Sequence, residues 1–303
     1  MTIENETATA LARDAATVMV LRERREETGL EVFMVRRHAR SRFMANTYVY
    51  PGGKLDEADT SAAVADHVVG LDPAAACERL LDVKSPSKAL GLYLAGVRET
   101  FEEAGFLLAR RRGASAYIDL VGDEVIARRF ADHRRALHDG SLSLSALADV
   151  EALEINLEYM GYFAHWITPY FESRRFDTRF FIALAPPNQL PLHDAVETTD
   201  SLWISPGEAI DRYRRGEFVI APPTLRTLEQ LAVFDTPESA LAFTRNHCPP
   251  AILPHLKTDD DEVALLLPGD PQFPSDDPLY KRATPVDDGV TRMVMRDGIW
   301  DSV

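Results

Sequence analysis

The sequence predicts an α/β protein. Short runs of branched and aromatic residues, bounded by turn residues, interleave with amphipathic stretches of helical period. One stretch, Pro86–Ala104, carries its own start and stop signals and is long enough to organise a core. No apolar run approaches the ~20 residues of a membrane-spanning helix.

In chain order, residues 15–21 and 31–37 read as strands joined by the charged loop 22–29. Residues 47–50 form a short strand that runs into Pro51-Gly52-Gly53. Residues 62–69, ending at Gly70, and 72–83, opening on Asp72-Pro73, read as helices. In Pro86–Ala104, Ser85 suits the N-cap, Pro86 the first turn and Gly105 the C-terminal stop. Leu90, Leu94, Val97, Phe101 and Ala104 make its apolar stripe. Gly91 and Gly96 each cost the helix about 1 kcal/mol and are expected to mark close packing against a sheet. Helices are predicted over 123–138 and 143–153, paired strands over 159–166 and 178–184, and a further strand over 201–204. Helices follow over 206–214, 225–234 and 237–247, then a small β element from 263–267 and 291–295. Residues 268–285, rich in Pro and Asp, are expected to be loosely ordered. There is no internal repeat.

The chemistry points to the end of the long helix, Arg98-Glu99-Thr100-Phe101-Glu102-Glu103-Ala104-Gly105. Glu99, Glu102 and Glu103 stand at i, i+3 and i+4, so a helix places them on one face, where like charges repel. A cation over that face accounts for the cluster. Hard divalent ions take oxygen ligands, and Mg²⁺ commonly shares them with substrate phosphates. A solvated Glu-rich face is the plainer explanation of the same residues. Arg98 lies four residues before Glu102 and can pair with it. Upstream, Gly52-Gly53 lets backbone amides approach phosphate oxygens, although a Pro-Gly-Gly alone is only a turn signal.

Together these elements resemble the Nudix box, G-x5-E-x7-R-E-U-x-E-E-x-G-U, of the Nudix hydrolases. Gly53 stands as the first glycine, Arg98-Glu99 as the R-E pair, Glu102-Glu103 as the E-E pair and Gly105-Phe106 as the end. Asp59 replaces the first glutamate and Thr100 the apolar residue after R-E. Between Asp59 and Arg98 stand 38 residues where the pattern has seven. A loop can lengthen in this way if its ends stay in place. Such an interrupted box resembles a coenzyme A diphosphatase branch of the family. Trp166-Ile167-Thr168-Pro169, Arg175-Phe176-Asp177-Thr178, Trp203-Ile204-Ser205-Pro206, Ala221-Pro222-Pro223 and Leu267-Pro268-Gly269-Asp270 continue the likeness downstream.

The resemblance implies a Nudix fold, a mixed β-sheet between helices, with a helical insertion in the box and an α/β C-terminal extension. The expected organisation is a flexible stretch over 1–13, a hydrolase domain over 14–215 with its insert at about 60–85, and an extension over 216–303. It implies metal-dependent hydrolysis of a diphosphate, with coenzyme A or an acyl-CoA giving 3′,5′-ADP and the (acyl-)4′-phosphopantetheine. Mg²⁺ or Mn²⁺ would bind Glu99, Glu102 and Glu103, and Arg98 would hold the array. Glu99 or Glu197 would orient or deprotonate the attacking water. Gly52, Gly53, Arg37 and Arg42 are the candidates for substrate phosphates, with Arg174, Arg175 and Arg179 as further ones. Two alternatives stand beside this: a Nudix hydrolase of ADP-ribose or a dinucleotide, and a Nudix-like module that binds a nucleotide without cleaving it. Removing residues 62–83 is expected to change substrate preference more than metal binding.

The composition narrows the partners. With 46% hydrophobic and 27% charged residues the chain can bury a core, and its net charge of −15 argues against nucleic acid and anionic membranes. The partner is therefore expected to be a small nucleotide, and the sequence allows a homodimer. The start of the chain lacks a signal-peptide pattern, and its end, Asp301-Ser302-Val303, lacks a peroxisomal tripeptide, so the expected compartment is the cytoplasm. Cys77 and Cys248 fit no zinc or redox spacing and are expected to be buried thiols.

Overall fold

The structure, a computed structural model, describes residues 11–25, 28–39, 45–191, 198–259 and 262–303. The chain divides into two compact units. The larger comprises Ala15–Ala164 and Arg179–Pro249. The smaller comprises the described residues up to Asp14 together with His165–Thr178 and Pro250–Val303.

In the larger unit, strands β1 (Arg13–Glu23), β2 (Leu30–Arg37), β3 (Tyr48–Val49) and β4 (Gly52–Lys54) come first. Helix α1 (Ala62–Ala65), strand β5 (Val68–Val69) and helix α2 (Pro73–Arg79) form the insert. The long helix is α3 (Pro86–Ala104), followed by β6 (Ala109–Arg111), α4 (Glu124–His138), α5 (Leu144–Val150) and β7 (Leu153–Asn156). Then come β8 (Met160–Ile167) and β9 (Phe176–Leu184), of which residues from His165 on and up to Thr178 respectively count with the smaller unit, and β10 (Thr198–Ile204), α6 (Pro206–Arg214), α7 (Pro222–Leu231) and α8 (Pro237–Phe243).

The main sheet of this unit runs β10-β2-β1-β9-β8, with β3 on β2 and β4 on β1. β1 reads as an almost unbroken apolar run because Ala15, Ala16, Val18, Met19, Val20 and Leu21 are all buried, which requires cover on both faces. One face receives α3: Ala16, Val18 and Val20 of β1, Phe33 and Val35 of β2 and Phe181 of β9 share a core with Leu90, Leu94, Val97 and Phe101. α3 begins as expected, with Ser85 Oγ accepting the amide of Lys88, and ends at Gly105 in the left-handed conformation. It is not a surface helix with one wet face, because buried residues surround it. Gly96 meets the sheet, where a Cβ would lie 2.9 Å from Val18 and 3.0 Å from Met160. Gly91 instead faces the loop at Asp59-Thr60, 2.8 Å from the Thr60 methyl.

A second sheet, β5-β7-β6, corrects two expectations. The helix predicted over 62–69 stops at Ala65, and Val68-Val69 pairs in parallel with Ile155-Asn156. The helix predicted over 143–153 ends at Val150, and β7 starts at Leu153. The insert is therefore stitched to the segment after α3. Val64, Leu71, Ala76, Leu80 and Val83 join the same core as α3. Cys77 is half-buried and Cys248 exposed, both as free thiols, so the expectation of two buried thiols fails at Cys248.

The smaller unit holds the antiparallel sheet of β12 (His255–Thr258), β13 (Val263–Leu266), β14 (Arg292–Arg296) and β15 (Ile299–Ser302), in that order. Within it Ala251-Ile252, strand β11, pairs in parallel with His165-Trp166. Residues 268–285 are not loosely ordered. Phe273 and Tyr280 enter the core with Ile167, Leu253 and Leu266, and Asp270 accepts Arg292 Nε at 2.8 Å and Nη2 at 2.9 Å.

Candidate active site

The glycine pair is demanded by close approach, not by an unusual backbone angle. β4 lies antiparallel to β1, with Gly52 opposite Thr17 and Gly53 opposite Ala16. A Cβ on Gly52 would sit 2.5 Å from the carbonyl oxygen of Ala16 and 2.7 Å from the Cα of Thr17. A Cβ on Gly53 would sit 2.1 Å from Oε1 of Glu99. The glutamate carboxylate thus rests directly on the glycine strand. The amide of Gly52 donates to Oε2 of Glu103 at 3.0 Å, so both ends of the triad meet the same strand.

Arg98 ties the cluster together from inside the fold. Its Nε and Nη2 donate to Oδ1 and Oδ2 of Asp59, each at 3.0 Å, in a two-pronged pair. Nη2 also donates to the carbonyl of Lys54 at 2.9 Å. Nη1 donates to Oε1 of Glu99 at 3.0 Å and to Oε1 of Glu102 at 3.3 Å. Burial works against the guanidinium charge, but Asp59, Glu99 and Glu102 outweigh it and push the Arg98 pKa up. Glu102 moves the other way for a carboxylate: burial raises its pKa, and the attraction of Arg98 only partly offsets this. Glu102 is 7% and Glu103 4% exposed, which rules out a solvated glutamate face.

Asp59 occupies the position of the missing first glutamate and is itself 2% exposed. It ends up beside Arg98 because residues 57–60 form a single 3₁₀ turn in which Asp59 Oδ2 accepts the amide of Asp56 at 3.0 Å. The two halves of the interrupted motif are rejoined by this ion pair across 38 intervening residues.

The strand before the glycines is fixed from behind. Tyr48 donates its amide to the carbonyl of Val219, and its ring stacks on Phe218 with centroids 4.1 Å apart. The Tyr50 hydroxyl meets Thr227 Oγ1 at 3.1 Å and the carbonyl of Thr224 at 3.5 Å, so α7 backs the loop.

Other expected residues fall in several places. Arg37 ends β2 opposite Thr198, on the face of the strand that carries Phe33 and Val35, and its Nε is buried without a hydrogen-bond partner among the described residues. Arg42 and Glu197 lie outside the described residues. Arg179 is buried and paired with Asp82 at 2.6 Å, and Arg175 spans the Tyr170 ring at 3.9 Å while its Nε donates to the carbonyl of Thr168. Asp177 is bonded by His165 and Arg282. His67 pairs with Asp149 through Nε2 at 3.1 Å. Sequence reading missed Arg134, whose Nε donates to the carbonyl of Glu102 at 2.9 Å. The only local signal was a cation on the flank of an amphipathic helix.

Comparison with known proteins identifies the family. The family model of the NUDT19 Nudix domain matches residues 6–231. The chain belongs to the NUDT19 Nudix domain family. It is 29% identical to the acyl-coenzyme A diphosphatase NUDT19 of Gallus gallus, over 88% of this chain and 80% of that protein. It is 27% identical to the Homo sapiens protein of the same name, over 89% and 79% respectively. Among solved structures, a NUDIX hydrolase from Alicyclobacillus acidocaldarius superposes with a TM-score of 0.63 at 26% identity, covering 78% of this chain and 97% of that one. The expected fold, α/β of Nudix type, and the expected class, a Nudix hydrolase, both hold. Among the described residues no helix of this Nudix protein is long and apolar enough to cross a membrane.

Proposed function

We propose that this Nudix hydrolase cleaves the diphosphate of coenzyme A or an acyl-CoA, releasing 3′,5′-ADP and (acyl-)4′-phosphopantetheine. The observation that carries the substrate is the likeness to acyl-coenzyme A diphosphatases along most of both chains, at 25–29% identity. The observation that supports the chemistry is the set of three carboxylates on the end of α3: Glu99 and Glu103 against Gly53 and Gly52, and Glu102 joined to Glu99 through Arg98.

Three carboxylates on one face suit a hard divalent cation, Mg²⁺ or Mn²⁺. Such an ion would neutralise diphosphate charge and acidify a bound water. The chain's own residues do the rest. Arg98 holds Glu99 and Glu102 in register from the buried side, so it is a positioning group and has no donor left over for substrate. The Gly52 amide is taken by Glu103, so the guanidinium of Arg37 is the proposed phosphate contact, with Gly53 and Arg42 as others. In the hydrolysis, a water oxygen bonds to one phosphorus, the bridging P–O bond breaks, and the water gives up a proton. Glu99 or Glu197 is the proposed acceptor of that proton. The two free thiols, Cys77 and Cys248, support a cytoplasmic setting.

Product analysis by mass spectrometry tests this, with coenzyme A, several acyl-CoAs, ADP-ribose, NADH and diadenosine polyphosphates offered in parallel with Mg²⁺. Release of 3′,5′-ADP from the CoA compounds alone is the expected result. Cleavage of ADP-ribose or a dinucleotide instead would discard the CoA assignment and keep the hydrolase.

A further inference from the structure

The additions to the core around α3 converge on one bond. The insert strand β5 pairs with β7, and His67 of the insert pairs with Asp149 of α5. α4 precedes α5 and is held to it by Glu151, which accepts Arg129 Nε at 2.6 Å, Arg129 Nη2 at 2.9 Å and His133 Nε2 at 2.9 Å. The inward stripe of α4 is Ile126, Phe130 and Leu137, and Arg134 lies on its flank. From there Arg134 Nε donates to the carbonyl oxygen of Glu102 at 2.9 Å.

That carbonyl needs an outside donor. The last carbonyls of a helix have no amide partner within it. In α3 the amide of Gly105 takes the carbonyl of Phe101, and the left-handed Gly105 then turns the chain away. A guanidinium at this point also opposes the negative end of the helix dipole. The carboxylate of the same Glu102 accepts Arg98 Nη1. Glu102 is thus gripped at its backbone by α4 and at its side chain from within α3.

We propose that Arg134 is a positioning residue for the metal-binding turn, setting the backbone of Glu102 and Glu103 against Glu99 and the glycine strand. The inference rests on the assignment of the three glutamates as metal ligands. Groups that orient ligands without touching the ion commonly change metal affinity by roughly 10–100-fold when removed.

Mn²⁺ binding to the full-length protein without substrate, followed by electron paramagnetic resonance of the free ion, tests it. Arg134→Met keeps the packed aliphatic stem and removes the donors, so it is suited to fold where an alanine variant is not. Arg134→Lys restores a donor. Arg129→Met, on the same helix, removes a guanidinium that does not touch Glu102, while His133 keeps α4 tied to Glu151. The expected result is a Kd for Mn²⁺ raised roughly tenfold or more in Arg134→Met, partly restored in Arg134→Lys and close to wild type in Arg129→Met. Unchanged affinity in Arg134→Met, or an equal loss in Arg129→Met, overturns the positioning role alone. Equal binding by wild type and Glu102→Gln overturns the glutamate assignment, and the positioning role with it.

Discussion

At Gly53 there is no room for one methyl group, because a Cβ would sit 2.1 Å from Oε1 of Glu99. The obstructing atom is the end of the Glu99 side chain, which can swing aside at little cost to the fold. Gly53→Ala is therefore expected to melt near wild type while kcat falls about 100-fold, since a displacement near 1 Å can cost that much. Gly52→Ala meets the backbone of Ala16 and Thr17 instead, which cannot swing. It is expected to lower the melting temperature clearly, and a thermal melt beside steady-state kinetics separates the two. Glu102 carries the opposite trade. Burial raises its pKa, so its ionised form opposes folding at neutral pH. Glu102→Gln is expected to lose metal-dependent turnover yet melt no lower than wild type in metal-free buffer. A collapse in stability would show that the loss of turnover came from the fold. Thr100 adds a quieter case: its hydroxyl is buried with no hydrogen-bond partner among the described residues. Thr100→Val keeps the shape and removes the unmet polar group, so a gain of about 1 kcal/mol in denaturant unfolding is expected.

At the scale of elements, the insert is part of the support of α3. Val64, Leu71, Ala76, Leu80 and Val83 are in the core shared with α3, and β5 completes the three-stranded sheet. Deleting residues 62–83 is therefore expected to abolish cooperative folding, a broader effect than the shift in substrate preference suggested by the sequence. A soluble deletion variant with a wild-type melt would refute this. α3 itself was legible because its signals are local: a cap, a proline, a stop glycine and glutamates at helical spacing. The β5-β7-β6 sheet was not, since strands of two to four residues are too short to show alternation and their partners are far along the chain. The order of residues 268–285 was equally hidden, because it depends on a few apolar residues and on Asp270 meeting Arg292. In the site, the glutamates could be read from spacing, Gly53 and Asp59 only through the family pattern, and the pairing of Asp59 with Arg98 not at all. Arg134 could not be read at all, because its bond is to a backbone carbonyl, which leaves no residue pattern.

Across the whole molecule, each unit has a buried carboxylate whose pKa its partners lower, which ties the stability of the unit to acid. In the larger unit this is Glu151. Burial alone would raise its pKa, but hydrogen bonds from Arg129 and His133 outweigh burial and hold it below the ordinary 4.5. In the smaller unit it is Asp270, where burial is likewise outweighed by Arg292 and the amide of Gln272, and the pKa falls below 3.8. A carboxylate with a depressed folded pKa binds fewer protons folded than unfolded. Its stabilisation is complete above the unfolded value and is lost as pH drops through the folded one. Glu151 therefore contributes in full above about pH 4.5 and Asp270 above about pH 3.8, and both contributions fade below those points. Glu151→Gln and Asp270→Asn are each expected to lower stability at pH 7 and to flatten its decline below pH 4.5, by leaving one fewer proton to be taken up on unfolding. Urea unfolding between pH 3 and 7, read separately by the fluorescence of Trp203 in the larger unit and Trp300 in the smaller, with the other tryptophans replaced by Phe, checks both. If the two substitutions leave the slope with pH unchanged, neither ion pair sets the acid limit of its unit.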